Sequence, residues 1–188
     1  QGDWSSDVCS SDLVTVPDLD RTDYLVMLGA NPYASNGSLC TAPDFPGRIE
    51  AIRARGGKVV VVDPRLTRTA EEADEWLAIR PGSDALWLMA IVQVLFDENL
   101  VDIPERLRDF IDGVERLREV SAPFTPEAVE AATGIDANTT RRIAREVAAA
   151  PSAAVYGRIG TTTTEFGTTA SWLIDVVNTL SGNLDRAG

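Results

Sequence analysis

Residues 58–74 read KVVVVDPRLTRTAEEAD, and the first five of them decide the fold class. Residues 58–62 form a β-branched run without polar alternation, which is typical of a parallel strand covered on both faces. Asp63 and Pro64 end this strand, and a short helical turn is predicted over residues 70–74. The stretch therefore predicts a buried strand in a sheet that has helices on both sides.

Three other short apolar runs predict strands, over residues 24–28 (YLVML), 76–79 (WLAI) and 153–156 (AAVY). Helical spacing and capping signals predict helices over residues 46–55, 85–98, 136–150 and 168–180, one beginning at Thr125 and Pro126, and an amphipathic helix with a connector over residues 104–120. Strands alternating with helices indicate an α/β fold, with a Rossmann-like, mainly parallel sheet and flanking helices.

Residues 1–13 differ from the rest of the chain. They repeat Ser-Ser-Asp around Cys9 and contain neither the cationic start nor the apolar run of a secretory signal. Their composition fits a disordered tail, but residues 3–13 (DWSSDVCSSDL) resemble a translated sequencing adapter. We interpret residues 1–13 as a non-native, disordered leader and predict that Trp4 and Val8 do not pack into a core. Residues 14–188 are then an incomplete α/β domain, with a helical layer over residues 100–150 and both true termini missing.

Composition excludes several classes of function. The net charge is −12, and a polyanion repels phosphate backbones, so nucleic-acid binding is not expected. The chain has no His and only two Cys, one of them in the leader, which excludes an internal disulfide and a His- or Cys-rich metal site. The apolar run at 85–96 is too short to span a bilayer, so membrane insertion is not expected.

Polar loops follow all four predicted strands, at the end of a parallel sheet where ligands bind. In the first loop, Gly29-Ala30-Asn31-Pro32, small residues let backbone N–H groups approach a diphosphate. The loop matches neither the G-x-G-x-x-G nor the Walker pattern, and a plain strand-to-helix connection is the alternative.

The second loop contains Asp63-Pro64-Arg65 and then Thr67 and Thr69. An acid after the second strand is placed to hold a ribose hydroxyl, and Arg65 can bind phosphate through two N–H groups. Alternatively, Asp63-Pro64 is a simple turn and Arg65 pairs with Glu71, Glu72 or Asp74.

The third and fourth loops carry a carboxylate and a glycine pair. Asp84, behind Gly82, can accept two parallel hydrogen bonds from the N1–H and N2 amino edge of guanine; the alternative is a helix N-cap at Asp84 or Ser83. Gly157, Gly160 and the threonines at 161–164 offer backbone and hydroxyl donors, or form a Gly-rich loop with solvated threonines.

Together the four loops resemble the molybdopterin oxidoreductase family, the group of dimethyl sulfoxide reductase and formate dehydrogenase. The motifs are GANP, VVDPRLTRTAEEAD, IRPGSDA and a late GRIG…TLSGNL, in the family's order over residues 22–188. The resemblance implies the central cofactor-binding domain of an enzyme that carries molybdenum or tungsten on two molybdopterin guanine dinucleotides. Carried over, the cofactor-binding residues are Gly29, Ala30, Asn31, Pro32, Asp63, Pro64, Arg65, Thr67, Gly82, Asp84, Gly157 and Gly160.

The resemblance implies that the redox-active groups of the enzyme are bound by residues outside this chain. The family's iron–sulfur cysteines and its metal ligand precede the GANP strand, so we expect no catalytic residue and no metal ligand here. Cys40 follows that strand and is expected to be a structural cysteine. The chain alone is expected to be inactive. The full enzyme would carry out two-electron redox chemistry and pass electrons to a 4Fe-4S cluster or an iron–sulfur subunit.

Two other functions fit the same fold. One is a noncatalytic nucleotide-binding subunit related to the complex I large subunit, and the other is a metal-free α/β ligand-binding module. The substrate cannot be read from these residues. A cytoplasmic location is expected, or a periplasmic one if a twin-arginine signal precedes the chain.

Overall fold

The computed structural model describes residues 16–37 and 42–188. The leader with Trp4 and Val8, and likewise Cys40, lie outside the described residues. The predictions on them therefore stay predictions.

Four parallel strands form one sheet in the order β3-β2-β1-β4. The strands are β1 (Tyr24–Leu28), β2 (Lys58–Val62), β3 (Glu75–Leu77) and β4 (Ala153–Gly157). The predicted bounds of β1 and β2 are confirmed, and β4 is one residue longer than predicted. Valines fill β2 because it lies inside the sheet and is buried on both faces.

Helices cover both faces of the sheet, as the sequence predicts. They are α1 (Pro32–Ser35), α2 (Phe45–Ala54), α3 (Arg68–Glu71), α4 (Asp84–Asp97), α5 (Glu105–Arg108), α6 (Val114–Ser121), α7 (Pro126–Thr133), α8 (Ala137–Ala149), α9 (Ile159–Thr162) and α10 (Gly167–Leu180). Alternate β1 residues point to opposite faces. Val26 belongs to the apolar core shared with α4, α8 and α10, while Met27 belongs to the core shared with α2.

Three local predictions are wrong. The third strand starts at Glu75 rather than Trp76 and ends at Leu77. Residues 157–164 are not a simple loop, because α9 lies within them. The range 104–120 was predicted as one amphipathic helix with a connector, but it contains two helices, α5 and α6, and Gly113, with a φ of 80°, is the N-cap of α6.

Residues 100–150 are predominantly helical. Three of their helices, α6, α7 and α8, pack against α4, and α8 also contacts β4. Trp87 of α4 is fully buried there, and its indole Nε1–H donates to Thr140 Oγ1 at 3.2 Å. In the part of the chain that the structure describes, no helix is long and apolar enough to cross a membrane.

Candidate functional site at the carboxyl edge of the sheet

The register of the strands brings the four predicted loops to one edge. Leu28 is paired with Val62 on one side and with Gly157 on the other, and Val62 is paired with Leu77. Because all four strands are parallel, each loop leaves from this carboxyl edge. The prediction that the four loops lie at the same edge of the sheet is therefore confirmed.

The first and fourth loops meet backbone to backbone. The chain leaves β1 toward β2 and returns to β4 on the other side, so these loops flank the switch point where open α/β sheets bind ligands. Gly160 N donates to Gly29 O at 3.1 Å, and Gly29 has a φ of +56°. A Cβ on Gly29 would lie 2.7 Å from Gly160 Cα. Only glycine permits this approach, which keeps the centre of the edge free of side chains.

The second loop is held by short-range hydrogen bonds. Asp63 Oδ1 accepts from Arg65 N at 2.9 Å. The simple turn at Asp63-Pro64, which was the alternative interpretation of this loop, is therefore present. Trp76 Nε1–H donates to Asp63 O at 2.9 Å, and Thr67 caps α3 by accepting from Ala70 N at 3.2 Å. The second part of that alternative, an ion pair of Arg65 with Glu71, Glu72 or Asp74, is absent from the described residues, and Asp74 is paired with Arg53 instead. Arg65 is exposed beside Pro64 and has no ion-pair partner among the described residues.

The third loop presents a buried carboxylate. Ser83 is the N-cap of α4 by position and its hydroxyl donates to Arg80 O at 2.7 Å, so Asp84 is the first helical residue and not the cap. Asp84 is only 5% exposed, and within residues 16–37 and 42–188 no other residue donates to its side chain. Burial, with a smaller contribution from the charge of Asp63, raises the pKa of Asp84. Gly82 has a φ of +79° and open space around it.

The fourth loop offers fewer free hydroxyl groups than predicted. Thr161 is fully buried and its hydroxyl donates to Arg158 O at 2.7 Å, while the hydroxyl of Thr163 donates to Ile159 O at 2.7 Å. These protons are used within α9 and the residue that precedes it. A Cβ on Gly157 would lie 2.1 Å from Ile174 Cδ1, so a side chain there would require the end of the Ile174 side chain to move.

A buried threonine joins the first two loops. Thr69 of α3 is 2% exposed; its hydroxyl donates to Asn31 Oδ1 at 2.6 Å and accepts from Tyr33 N at 3.2 Å. Ala30 is buried beside this link, and Pro32 begins α1. Sequence reasoning placed Thr69 near the site but not among the binding residues. The only signal in the sequence was its position two residues after Thr67, the N-cap of the same short helix.

The opposite edge of the sheet carries a charge network that sequence reasoning missed. Lys58 Nζ lies 3.0 Å from Glu75 Oε2 and 2.9 Å from Glu146 Oε2, and Arg142 is paired with both acids. Tyr24 OH donates to Glu146 Oε2 at 2.5 Å. The residues lie far apart in sequence. The available signal was a polar residue at the start of each of β1, β2 and β3.

The pKa values of the network follow from its contacts. Burial alone would raise the pKa of Glu75 and of Glu146. Hydrogen bonds from Arg142 and Lys58 outweigh it for Glu75, and those from Tyr24, Lys58 and Arg142 outweigh it for Glu146, so both pKa values are low. Burial and the bond to Glu146 raise the pKa of Tyr24. These groups therefore partner one another and are not available for a ligand. Among the described residues there is no cluster of acids, His or Cys that could hold a metal ion.

Comparisons with known proteins identify relatives of the chain. The family model for molybdopterin oxidoreductase matches residues 3–188. Formate dehydrogenase H of Escherichia coli is 32% identical over 171 residues, which are 91% of this chain and 23% of that protein. The molybdopterin-containing subunit of thiosulfate reductase from Salmonella typhimurium is 34% identical over 177 residues, which are 91% of this chain and 22% of that protein.

The fold is also similar to a solved structure. Acetylene hydratase from Pelobacter acetylenicus superposes with a TM-score of 0.78 at 24% identity, over 90% of this chain and 23% of that one. At this identity the likeness concerns the fold alone. The chain spans about a quarter of the length of the relatives it matches.

Proposed function

The chain belongs to the molybdopterin oxidoreductase family, whose cofactor is a pterin carrying molybdenum or tungsten, and we propose that it binds the guanine dinucleotide form of that cofactor at the carboxyl edge of its sheet. One observation carries the proposal. Four loops leave from this edge, and the third of them carries a carboxylate, Asp84, that is 5% exposed and accepts no hydrogen bond from another described residue. Only the backbone N–H of Asp84 itself supports this buried carboxylate, so its burial is costly, and a ligand that supplies further donors lowers that cost.

The residues present fit such a group in three ways. The Gly29–Gly160 contact leaves bare backbone at the switch point, where a diphosphate can approach closely. Arg65 is exposed and has no ion-pair partner in the described part of the chain, so its guanidinium can bind phosphate. Asp84 offers two parallel acceptors, which match the N1–H and N2 amino groups of guanine.

The proposed assignment follows the order of the loops. The first loop, Gly29 to Pro32, lies along the phosphates, and Asn31 adds a side-chain donor there. Asp63, Pro64, Arg65 and Thr67 form the wall beside the ribose and phosphate. Gly82 and Asp84 hold the guanine, and Gly157 and Gly160 lie against the pterin side. When bound, the cofactor supplies two-electron redox chemistry at its metal, and these residues bind and orient it.

The activity of the whole protein is part of the proposal. Relatives that the chain resembles include a formate dehydrogenase and a thiosulfate reductase subunit, and the chain spans only about a quarter of each. We propose that the complete protein is a catalytic subunit that transfers two electrons and passes them to a 4Fe-4S cluster or an iron–sulfur partner. Catalytic groups would come from outside these residues, and the 188-residue chain would be inactive alone.

Calorimetric titration of the chain with guanosine 5′-diphosphate tests the binding site. Asp84→Asn should weaken binding at least tenfold, because the amide replaces one acceptor oxygen with a donor that opposes the guanine edge. Asp97→Asn, at the exposed other end of the same helix, is the matched control and should bind like the wild type. Equal affinity of Asp84→Asn and wild type, or no guanine preference over adenosine diphosphate, would contradict the proposal and favour a metal-free ligand-binding module.

A further inference from the structure

Thr69 makes two hydrogen bonds that fix the direction of its hydroxyl proton. Tyr33 N donates to Thr69 Oγ1 at 3.2 Å, so this oxygen acts as an acceptor toward the first loop. The same oxygen lies 2.6 Å from Asn31 Oδ1. A side-chain amide oxygen only accepts, so the Thr69 proton must lie on this contact.

The direction of that proton decides which way the Asn31 amide faces. Oδ1 is used by Thr69, and the amide nitrogen of Asn31 has no partner in the described parts of the chain. Thr69 is 2% exposed and belongs to a capped turn, with Thr67 accepting from Ala70 N, so it is a rigid reference for the amide. In the opposite orientation the NH₂ group would donate to Thr69 Oγ1, which already accepts from Tyr33 N, and the Thr69 proton would lose its acceptor at Oδ1.

We infer that Thr69 is a positioning residue that turns the amide NH₂ of Asn31 toward the carboxyl edge, so that the first loop selects an anionic group rather than a cation or a donor. The inference rests on the proposed function for the identity of the anion, a diphosphate. It adds a specificity element that couples the loops after β1 and β2 through one buried hydroxyl group.

The variant Asn31→Asp tests the NH₂ donor of Asn31 without removing the oxygen that accepts from Thr69. The carboxylate keeps an oxygen for the Thr69 hydroxyl, so the variant should fold normally, but it replaces the NH₂ donor with a negative charge. By calorimetry, its affinity for guanosine diphosphate should fall more than tenfold, while its affinity for guanosine should equal that of the wild type. Unchanged diphosphate affinity would overturn the inference, as would an equal loss for guanosine and guanosine diphosphate.

Thr69 itself is tested with Thr69→Val and Thr69→Ser. Valine removes the hydroxyl and should lower guanosine diphosphate affinity about five- to tenfold, the size of one hydrogen bond, whereas serine should restore it. Equal affinities of Thr69→Val and the wild type would contradict the role of the hydroxyl.

The orientation of the amide can be read without any ligand. In ¹⁵N-edited spectra of the free chain, the two Asn31 NH₂ resonances should move in Thr69→Val and stay in place in Thr69→Ser. No movement in Thr69→Val would overturn the orientation, whatever the nucleotide titrations give. If the wild type binds no guanosine diphosphate while these resonances move as expected, the proposed function fails and the Thr69–Asn31 link stands.

Discussion

The two edges of the sheet use charge in opposite ways. At the amino edge, Lys58 and Arg142 neutralise Glu75 and Glu146, and Tyr24 adds a hydrogen bond. At the carboxyl edge, Asp63 and Asp84 are close enough to raise the pKa of Asp84, and no described cation is paired with either of them. One edge is complete by itself. The other has charge and bare backbone, which a ligand would complete in the proposed function.

The edges also differ in the side chains they display. Long polar side chains from β1, β2, β3 and α8 cross the amino edge, whereas glycines meet at the centre of the carboxyl edge. In the proposed function, the fold is stabilised at one end of its strands and binds its ligand at the other end. Stability and binding should therefore respond separately to substitutions at the two edges.

The largest expected effect is that of Gly29→Ala. The new Cβ would meet the Gly160 backbone at 2.7 Å in a residue with a φ of +56°, so the free energy of unfolding should fall by about 3 kcal/mol. Urea denaturation measures the loss. Gly82→Ala is the control, because its φ is also positive but its surroundings are open, and it should lose only about 1 kcal/mol. Equal losses would mean that the close approach of the two loops is not tight.

Substitution at the amino edge should have the next largest effect. Glu146→Gln removes the charge that Lys58 and Arg142 share and should lower the free energy of unfolding by about 1–2 kcal/mol. Glu98→Gln breaks a single ion pair with the more exposed Arg145 and should cost under about 1 kcal/mol. Guanosine diphosphate affinity should not change in either variant, and a loss of affinity in Glu146→Gln would show that the edges are coupled.

The pH dependence of stability should also differ between the edges. The pKa values of Glu75 and Glu146 are lowered in the folded chain, so their stabilisation is present above 4.5, the ordinary value, and is lost as pH falls through the lowered values. Asp84 has the opposite sign: its pKa is raised, so its ionised form destabilises the free chain at neutral pH. The helix N-terminus beside Asp84 offsets part of this cost.

Asp84→Asn should therefore raise the midpoint temperature of the free chain at pH 7, by less than Glu146→Gln lowers it. The gain should disappear as pH falls below the ordinary Asp value of 3.8, where both states of the wild type are protonated. Differential scanning calorimetry at both pH values checks this expectation. A lowered midpoint at pH 7 would mean that Asp84 already has favourable partners in the free chain.

Much of the fold follows from local sequence, and the exceptions have physical causes. The bounds of β1 and β2 are predictable because both are continuous apolar runs between charged and glycine residues. Glu75 lies outside the predicted third strand, and its distant partners Lys58 and Arg142 account for its place in β3. Helix α9 was missed because Gly160 and the threonines have low helix propensity. Hydroxyl bonds to backbone carbonyls stabilise it.

The sequence predicts which loops form the candidate site, but it does not predict the contacts between their side chains. Parallel strands place their following loops at one edge, so the grouping of Gly29, Asp63, Asp84 and Gly157 could be expected from the strand pattern. The bond between Asn31 and Thr69 could not, because it joins residues 38 positions apart whose approach depends on the packing of α1 against α3. The charge network at the amino edge could not be predicted either, because its residues are also far apart in sequence.

A nuclear magnetic resonance titration of the 188-residue chain with guanosine diphosphate tests the central claim most directly. If the carboxyl edge is the binding site, the backbone amides of Gly29, Asp63 and Gly157 should shift on titration, while those of Lys58 and Glu75 at the amino edge should remain in place. Shifts confined to the amino edge, or no shifts at millimolar nucleotide, would contradict the account.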